Sequence, residues 1–596
     1  MSEDGQAALV NVAFTQPRLK LSDETKNAVI EHFEPEPIDG VEVSFSTDLA
    51  QGVPKIFGIG VAFAALILLV MLGSVLAASL PLITALVGVA ISALGALAFS
   101  GVVQMASVTP VLAIMLGLAV GIDYSLFVIN RHRKQLLQGA EVRESIGLAN
   151  GTAGNAVVFA GTTVIVALLA LNITGVPFLG LMGTVGALAV LVALLISISL
   201  TPAILGLAGL RVLGRRARAQ VGEEHHEDTR SKPMPTWRAI VTVLVTAIVL
   251  LVVAIPDLSM RVGLPDGSSE PEESASYRAF TTTEDAFGAG VNGPLLLTAA
   301  SPEDLDDAEL LEAQAEVART LAELDDVVAV APIAVSDAGT LAAVQVVPTE
   351  GPNSVSTEQL VRDIRTLPPI EGTVELGVAG QAAINIDISQ NLSNVVPIYI
   401  AVVVGLSLLI MILVFRSILV PLIATGGFIL SLFATYGATV AVFQWGWFAD
   451  ALGVATGPIL SFLPVILVGI LFGLAMDYQL FLGSGMREAY VHGASARLAV
   501  ARGFRAGRSV VVAAALIMVS VFGGFIFSES QIIPPMGFGL AFGVLVDAFL
   551  VWMLLIPALV HLLGASGVVA SALARQGHTE CRCRRRGARA AASLMI

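Results

Sequence analysis

PVLAIMLGLAVGIDYSLFVINRHRKQLLQG (residues 110–139) and PVILVGILFGLAMDYQLFLGSGMREAYVHG (464–493) align without a gap at an offset of 354 residues. They share the opening Pro, an Asp-Tyr-x-Leu-Phe core, an Arg ten residues beyond the Asp, and a closing Gly. Each sets an acid within a run of about 20 otherwise apolar residues, the length at which an α-helix crosses a bilayer. LTPAIL at 200–205 likewise answers LIPALV at 555–560. Both copies run in the same direction, so the chain reads as a parallel two-fold repeat of the kind found in secondary transporters.

The rest of the chain fits that reading. Of its 596 residues 56% belong to the set AVILMFWYC and 13% are charged, and the mean hydropathy is +0.84. A soluble protein of this size cannot bury so much apolar surface, so most of it must face lipid. Eleven stretches are long and apolar enough to span: 56–73, 80–102, 107–130, 153–172, 177–208, 237–256, 396–416, 418–443, 457–482, 508–528 and 534–563. If these alternate, 23 of the 32 basic residues fall on one side, which the distribution of Lys and Arg assigns to the cytoplasm. The net charge of −15 argues against a nucleic-acid partner. Cys581 and Cys583 cannot staple a fold, and a lone C-x-C in an Arg-rich tail is a weak metal signal.

The expected organisation follows. Residues 1–55 form a partial outer domain, 56–210 a first bundle of five helices, 211–236 a cytoplasmic linker, and 237–256 the helix opening the second repeat. Residues 257–395 form a second outer domain, 396–565 a second five-helix bundle, and 566–596 a basic cytoplasmic tail. His225 and His226, in the acidic linker, read as part of a solvated loop. Segment 257–395 carries 24 acids against 5 arginines and alternates strand-like with helix-like runs. Strand 294–300, helix 302–325, strands 327–335 and 340–347, helix 354–366 and strand 373–379 give a β-α-β-β-α-β order, that of a ferredoxin-like unit. In the first half only 55 residues precede the five spans, with a strand expected at 7–14 and a helix at 22–32. Measured against the second half, a span of about 20 residues and part of a domain are expected to be absent there.

Asp123, Asp477 and Asp547 lie well inside spans. An Asp at a helix centre costs about 2.5–3.5 kcal/mol on insertion scales. Asp123 and Asp477 occupy equivalent repeat positions and each is followed by a tyrosine, Tyr124 and Tyr478. One reading is a structural Asp–Tyr hydrogen bond fastening helices. The other is a proton relay: the two aspartates meet across the pseudo-twofold axis, with Tyr478 donating to Asp123 and Tyr124 to Asp477. Gly117, Gly121 and Gly473 permit close helix approach near these residues, as ordinary packing glycines would. Thr162 and Thr163 are candidate accessory hydroxyls. Asp547, opposite Ala193 in the repeat, is expected to anchor the last span, with membership of the relay as the alternative. Gln444, Trp445 and Trp447 suit an interfacial anchor.

GLAVGIDYSLFVINRHR (117–133) and FGLAMDYQLFLGSGMREAY (472–490) resemble the paired signature segments of the MMPL family, within the resistance–nodulation–division superfamily. LPDGSS (264–269), NGPLLL (292–297), VFQWGW (442–447), ALIMVSVFG (515–523) and LVDAF (545–549) extend the resemblance over nearly the whole chain. It implies a polytopic α-helical membrane protein with twelve spans, where eleven are predicted here, and two α+β ferredoxin-like porter domains outside the membrane. It also implies proton-driven export of lipids or other hydrophobic molecules from actinobacterial-type cells. Asp123–Tyr124 and Asp477–Tyr478 fall on the family's proton-relay pairs. Three departures stand out: the missing first span, Trp552 near a place where the family commonly has Arg, and a tail from Arg575 that resembles nothing in the family.

The leading expectation is therefore a multi-pass protein of the cell membrane that exports an amphiphile, with protons as coupling ion and no other cofactor. Its partners would be a hydrophobic or lipid substrate, membrane lipids, and a second copy of itself or cell-envelope proteins. A truncated, non-transporting relative that scaffolds a complete copy is the alternative. A protein-translocation accessory of the same superfamily fits the long second outer domain poorly. No Ser-His-Asp set or metal-ligand cluster suggests an enzyme. No lysine follows a glycine, so there is no G-K-[ST] phosphate loop for an ATP-driven pump.

Overall fold

In the computed structural model of the protein the described residues are 58–100, 103, 108–219, 221, 234–270, 274–300, 307–336, 340–370, 374–415, 418–491, 495–528, 530 and 532–563, with scattered residues of 1–57. The strand and helix expected at 7–14 and 22–32, most of the polar linker and the basic tail fall largely outside them. Among the described residues nine helices are long and apolar enough to cross a membrane. Two shorter apolar runs, Ile59–Leu72 and Leu463–Met476, occupy the remaining expected spans. The protein is a multi-pass membrane protein.

The first bundle contains α1 (Gly58–Leu72), α2 (Val75–Ser100), α3 (Val108–Leu137), the short α4 (Val142–Ala149), α5 (Asn155–Leu169) and α6 (Pro177–Ala208). A left-handed Gly175 (φ 69°) ends the 3₁₀ turn after α5, and Pro177 opens α6 at its first turn. These are the positions where glycine and proline cost least. After α7 (Thr236–Ala254) comes a two-residue strand β1 (Val262–Gly263), and the chain then enters the α+β domain.

That domain contains α8 (Ala275–Phe287), β2 (Leu295–Ala300), α9 (Asp307–Ala322), β3 (Val327–Val335), β4 (Leu341–Pro348), α10 (Val355–Thr366) and β5 (Glu375–Ala379). The sheet order β3-β4-β2-β5, antiparallel throughout, is the ferredoxin-like arrangement expected from the β-α-β-β-α-β run. Alternation within the strands explains its core. Leu295 and Leu297 of β2 and Val344 and Val346 of β4 are fully buried against Val317 and Leu321 of α9 and Val361 of α10. Each such side chain contributes about 1.5–3 kcal/mol.

The second bundle comprises α11 (Gln381–Phe415), α12 (Leu419–Phe443), a two-residue strand β6 (Ile459–Leu460), α13 (Leu463–Val491), α14 (Ala496–Gly523), α15 (Ile533–Leu545), a π-helical stretch Val546–Leu555, and α16 (Ile556–Leu563). Two helices start earlier than their polarity suggests. The span expected at 396–416 begins at Gln381, because Ala382 and Ala383 are buried in the α+β core while Leu392 is already in the membrane core. One continuous helix therefore crosses the boundary expected at 395/396. Similarly, α14 begins at Ala496 rather than 508. The two bundles interlock by exchange: α13 packs on α5, and α3 packs on α14. Tyr399 of α11 adds a third tie, donating to the Ala167 carbonyl of α5 at 3.2 Å over Gly469 of α13. A Cβ at Gly469 would stand 2.4 Å from that hydroxyl.

Candidate functional site

The duplicated Asp-Tyr segments lie on α3 and α13. Of the most apolar 18-residue window of α3, 94% is buried, against 22% for α2, so α3 is surrounded by protein rather than lipid. An aspartate there avoids the cost of facing hydrocarbon. Asp123 is 0% exposed, and among the described residues neither carboxylate oxygen has a hydrogen-bond partner.

The face Asp123 occupies follows from its neighbours on the helix. Two residues before it, Gly121 lies against α2: a Cβ there would meet Ala85 Cα at 3.2 Å. Two residues after it, Ser125 hydrogen-bonds Thr84 of α2 at 2.9 Å and Ser197 of α6 at 3.4 Å. At about 100° per residue, Asp123 lies on the opposite side of the helix from both, away from α2 and α6. Tyr124 is also fully buried, its ring 3.4 Å from where a Cβ of Gly161 on α5 would stand.

On α13, Tyr478 is fully buried and its hydroxyl donates to Sδ of Met518 on α14 at 3.3 Å. The expected donation from Tyr478 to Asp123 is therefore not made: α14 stands beside α3 and supplies the sulfur instead. The side chain of Asp477 lies outside what is described, as does its meeting with Tyr124. Gly473 marks a close approach of the two halves. A Cβ there would meet Val164 of α5 at 2.6 Å from Cγ2 and 2.9 Å from Cα. Gly117 has ordinary clearance, 3.6 Å to Val89.

The accessory candidates separate. Thr162 is exposed and bonded back to the Val158 carbonyl at 2.7 Å, so it faces away from Asp123. Thr163 is buried but likewise bonded within its own helix, to Ala160 at 2.7 Å. Asp547 is buried at the start of the π-helical stretch, with Oδ1 3.5 Å from Ser431 Oγ of α12 and Oδ2 without a partner among the described residues. That contact lies between the last span and α12.

Sequence reading missed the hydroxyl cluster behind Asp123. Ser125, Thr84, Ser197 and Thr201 are all within 1% of full burial, and Thr201 donates to Ser125 at 3.3 Å. The i,i+4 spacing of Ser197 and Thr201 was the available signal. Hydroxyls are common in spans, so spacing alone did not distinguish it.

A small cleft opens on the domain-side face, between Pro265 and Ser269 of the α+β domain, Val454 and Pro458 before β6, and Ser528 and Pro534 before and at α15. Beside it, burial pushes the Glu270 carboxyl up to about 7. The folded state then holds this proton more tightly than the unfolded chain, so stability is greatest below the ordinary carboxylate range and declines as pH rises towards 7. Glu270→Gln is expected to raise the α+β domain's melting midpoint at pH 8 by about 2–4 °C and to leave it unchanged at pH 5. An equal effect at both pH values would assign the change to packing instead.

Residues 1–253 and 272–592 match the family model described as MMPL family. Membrane protein YdfJ of Bacillus subtilis is 39% identical over 95% of this chain and 78% of its own length. Two mycobacterial proteins are similar over about half their own lengths. The heme uptake protein MmpL11 of Mycobacterium tuberculosis is 31% identical over 83% of this chain and 52% of its own. The mycolic acid-containing lipids exporter MmpL11 of Mycolicibacterium smegmatis is 30% identical over 83% and 53%. Among solved structures, SecDF in its super-membrane-facing form is similar with a TM-score of 0.49 at 12% identity, over 89% of this chain and 62% of that one.

Proposed function

The chain belongs to the MMPL family, and from that premise we propose that it exports lipids or other hydrophobic molecules across the cell membrane, driven by the proton-motive force. The coupling path is Asp123–Tyr124 with Asp477–Tyr478. The observation that carries this reading is a fully buried carboxylate with no described hydrogen-bond partner, on the face of α3 turned away from α2 and α6 of its own repeat. A structural aspartate in such a place would be expected to spend its acceptors on neighbours. One left without them has little reason to be there except to exchange a proton.

In this mechanism a proton entering from the side of the α+β domain, taken as extracytoplasmic, neutralises the aspartates, and release to the cytoplasm recharges them. Each charge moved across the membrane supplies about 2.3 kcal/mol per 100 mV, enough to bias a rearrangement of a few kcal/mol. The interlock of α13 on α5 and α3 on α14 turns a change at Asp123 into relative motion of the repeats. Lipid as substrate class is supported by the Mycolicibacterium relative, an exporter of mycolic acid-containing lipids.

The test is export from proteoliposomes with an imposed pH gradient, using a headgroup-labelled fluorescent phosphatidylethanolamine as probe. The wild-type chain should move probe only while the gradient is present. Movement indifferent to the gradient would reject the proton coupling, and no movement at all would favour a non-transporting scaffold.

A further inference from the structure

The α+β domain is tied to the membrane bundle where relay helix α13 begins. β1, which leads from α7 into that domain, pairs in parallel with β6, which ends three residues before α13, in the register Val262↔Ile459 and Gly263↔Leu460. Flanking bonds lengthen the pairing: Ile459 N donates to the Arg261 carbonyl at 2.8 Å, and Ser461 N to the Gly263 carbonyl at 3.0 Å. Gln444, at the end of α12, holds the residues just before β1. It donates to the Ser259 carbonyl at 2.7 Å and accepts from Arg261 N at 2.9 Å. This residue therefore clamps β1 rather than serving only as an interfacial anchor.

Behind the strand pair lies a polar cluster. The Asn353 amide donates to Asp266 Oδ2 at 2.6 Å and to the Leu264 carbonyl at 3.2 Å. Its oxygen accepts from Asn385 Nδ2 at 2.7 Å, and its main-chain carbonyl accepts from Arg261 at 3.0 Å. Asp266 and Asn385 are 8% and 7% exposed, so these bonds exchange little with water. Asn385 belongs to α11, and one turn further on Ser389 lies 3.2 Å from Ser461 at the entrance to α13. One asparagine thus joins the start of the α+β domain, the loop between its β4 and α10, and the helix that leaves it for the membrane. The first pairs with β6, the strand that feeds α13, and the third reaches Ser461 just beyond it.

We propose that the Asp266–Asn353–Asn385 cluster, with the β1–β6 pair it braces, is the joint that passes motion of relay helix α13 to the α+β domain, and that Asn353 is its positioning residue. The proposal rests on the proton-driven reading above. A network that is nearly buried and fixed at three backbone segments transmits displacement, whereas a flexible loop would absorb it. Cutting it should leave the relay titrating and the domain folded, but uncouple one from the other.

The test uses the full chain in proteoliposomes, with Cys581→Ser and Cys583→Ser. Fluorophores are attached through Val328→Cys on the exposed face of β3 and Trp447→Cys on the loop after α12, positions 66% and 56% exposed. A step from about pH 8 to about pH 5.5, made in the Glu270→Gln background so that the raised Glu270 carboxyl beside the joint does not itself titrate, should change the label distance of the otherwise wild-type chain by about 3 Å or more. Asn353→Ala should remove the change while the melting transition stays cooperative. Asn353→Asp keeps the side chain's size but sets a second carboxylate against Asp266, and should do the same. Arg365→Ala cuts the exposed pair between Arg365 and Asp387 of α11, outside the cluster, and should keep the change. Persistence of the shift in both Asn353 variants, or its absence in the wild type, overturns the joint. Probe export measured on the same vesicles separates the two readings. If the wild type moves no probe yet its shift is lost in the variants, the transport reading fails and the joint stands; export unchanged in Asn353→Ala overturns the joint.

Discussion

Replacing Asp123 by Asn is expected to lower proton-driven probe export about 100-fold or more, equivalent to about 2.7 kcal/mol of lost coupling, with no loss of folded protein. Asn keeps the size of the side chain and removes only the titration. The stability expectation is what separates this from a structural role. Asp123 makes no described hydrogen bond that Asn would break, and its site is fully buried. A neutral amide there escapes the desolvation penalty that an ionised carboxylate bears. The melting midpoint should therefore hold or rise while export collapses. Asp477→Asn is expected to do the same, because the repeat places it at the equivalent position. Thr162→Val, on a hydroxyl that faces outward and bonds its own helix, should leave export within about two-fold of wild type, since a back-bonded span hydroxyl contributes little. A variant of Asp123 that loses export only in proportion to folded protein would refute the relay.

The second large effect is steric. Gly473→Ala would place a Cβ 2.6–3.0 Å from three atoms of Val164, one of them the α carbon. Backbone cannot rotate away as a side-chain tip can, so α13 and α5 must separate. Overpacking of this kind costs about 1–3 kcal/mol, and it acts at the contact between the repeats. We expect a lower melting midpoint together with at least a tenfold loss of export, since small displacements of a catalytic geometry are amplified in rate. Val164→Ala in the same chain removes one of the three clashing atoms, Cγ2, and leaves Cβ and the α carbon, so rescue should be partial. Gly117→Ala is the control. Its Cβ would meet nothing closer than 3.6 Å, and the exchange favours helix by about 1 kcal/mol. Equal tolerance of Ala at 473 and 117 would show that the repeats do not depend on that approach.

Much of the architecture was legible in the residues because bilayers and sheets impose simple periods. Runs of about 20 apolar residues have few structures open to them in hydrocarbon, and all eleven expected spans appear as apolar helices. The alternation in Leu295–Ala300 and Leu341–Pro348 specified strands by the same logic. Where polarity misled, a helix continued through polar residues because a few small apolar ones, Ala382 and Ala383, found cover in a second core. Reading one window at a time cannot see that cover.

The candidate site divides in the same way. A duplicated Asp-Tyr pair inside apolar helices is a statement about chemistry that needs no coordinates, since burying a carboxylate twice at matched positions is costly everywhere in a membrane. Which partner a tyrosine hydroxyl finds is not local information. Met518, 40 residues from Tyr478, takes its hydrogen bond, and Ser125 gathers Thr84 and Ser197 from 41 and 72 residues away. Asn353, without a span or signature pair to mark it, becomes a hub only because three backbone segments converge on it. Sequence by itself determined what must be buried, in what periodicity and with what charge, because those depend on a residue and the solvent it avoids. Tertiary structure alone decided who touches whom, because hydrogen bonds and close packing act over about 3 Å, and only the fold sets distances that short between distant residues.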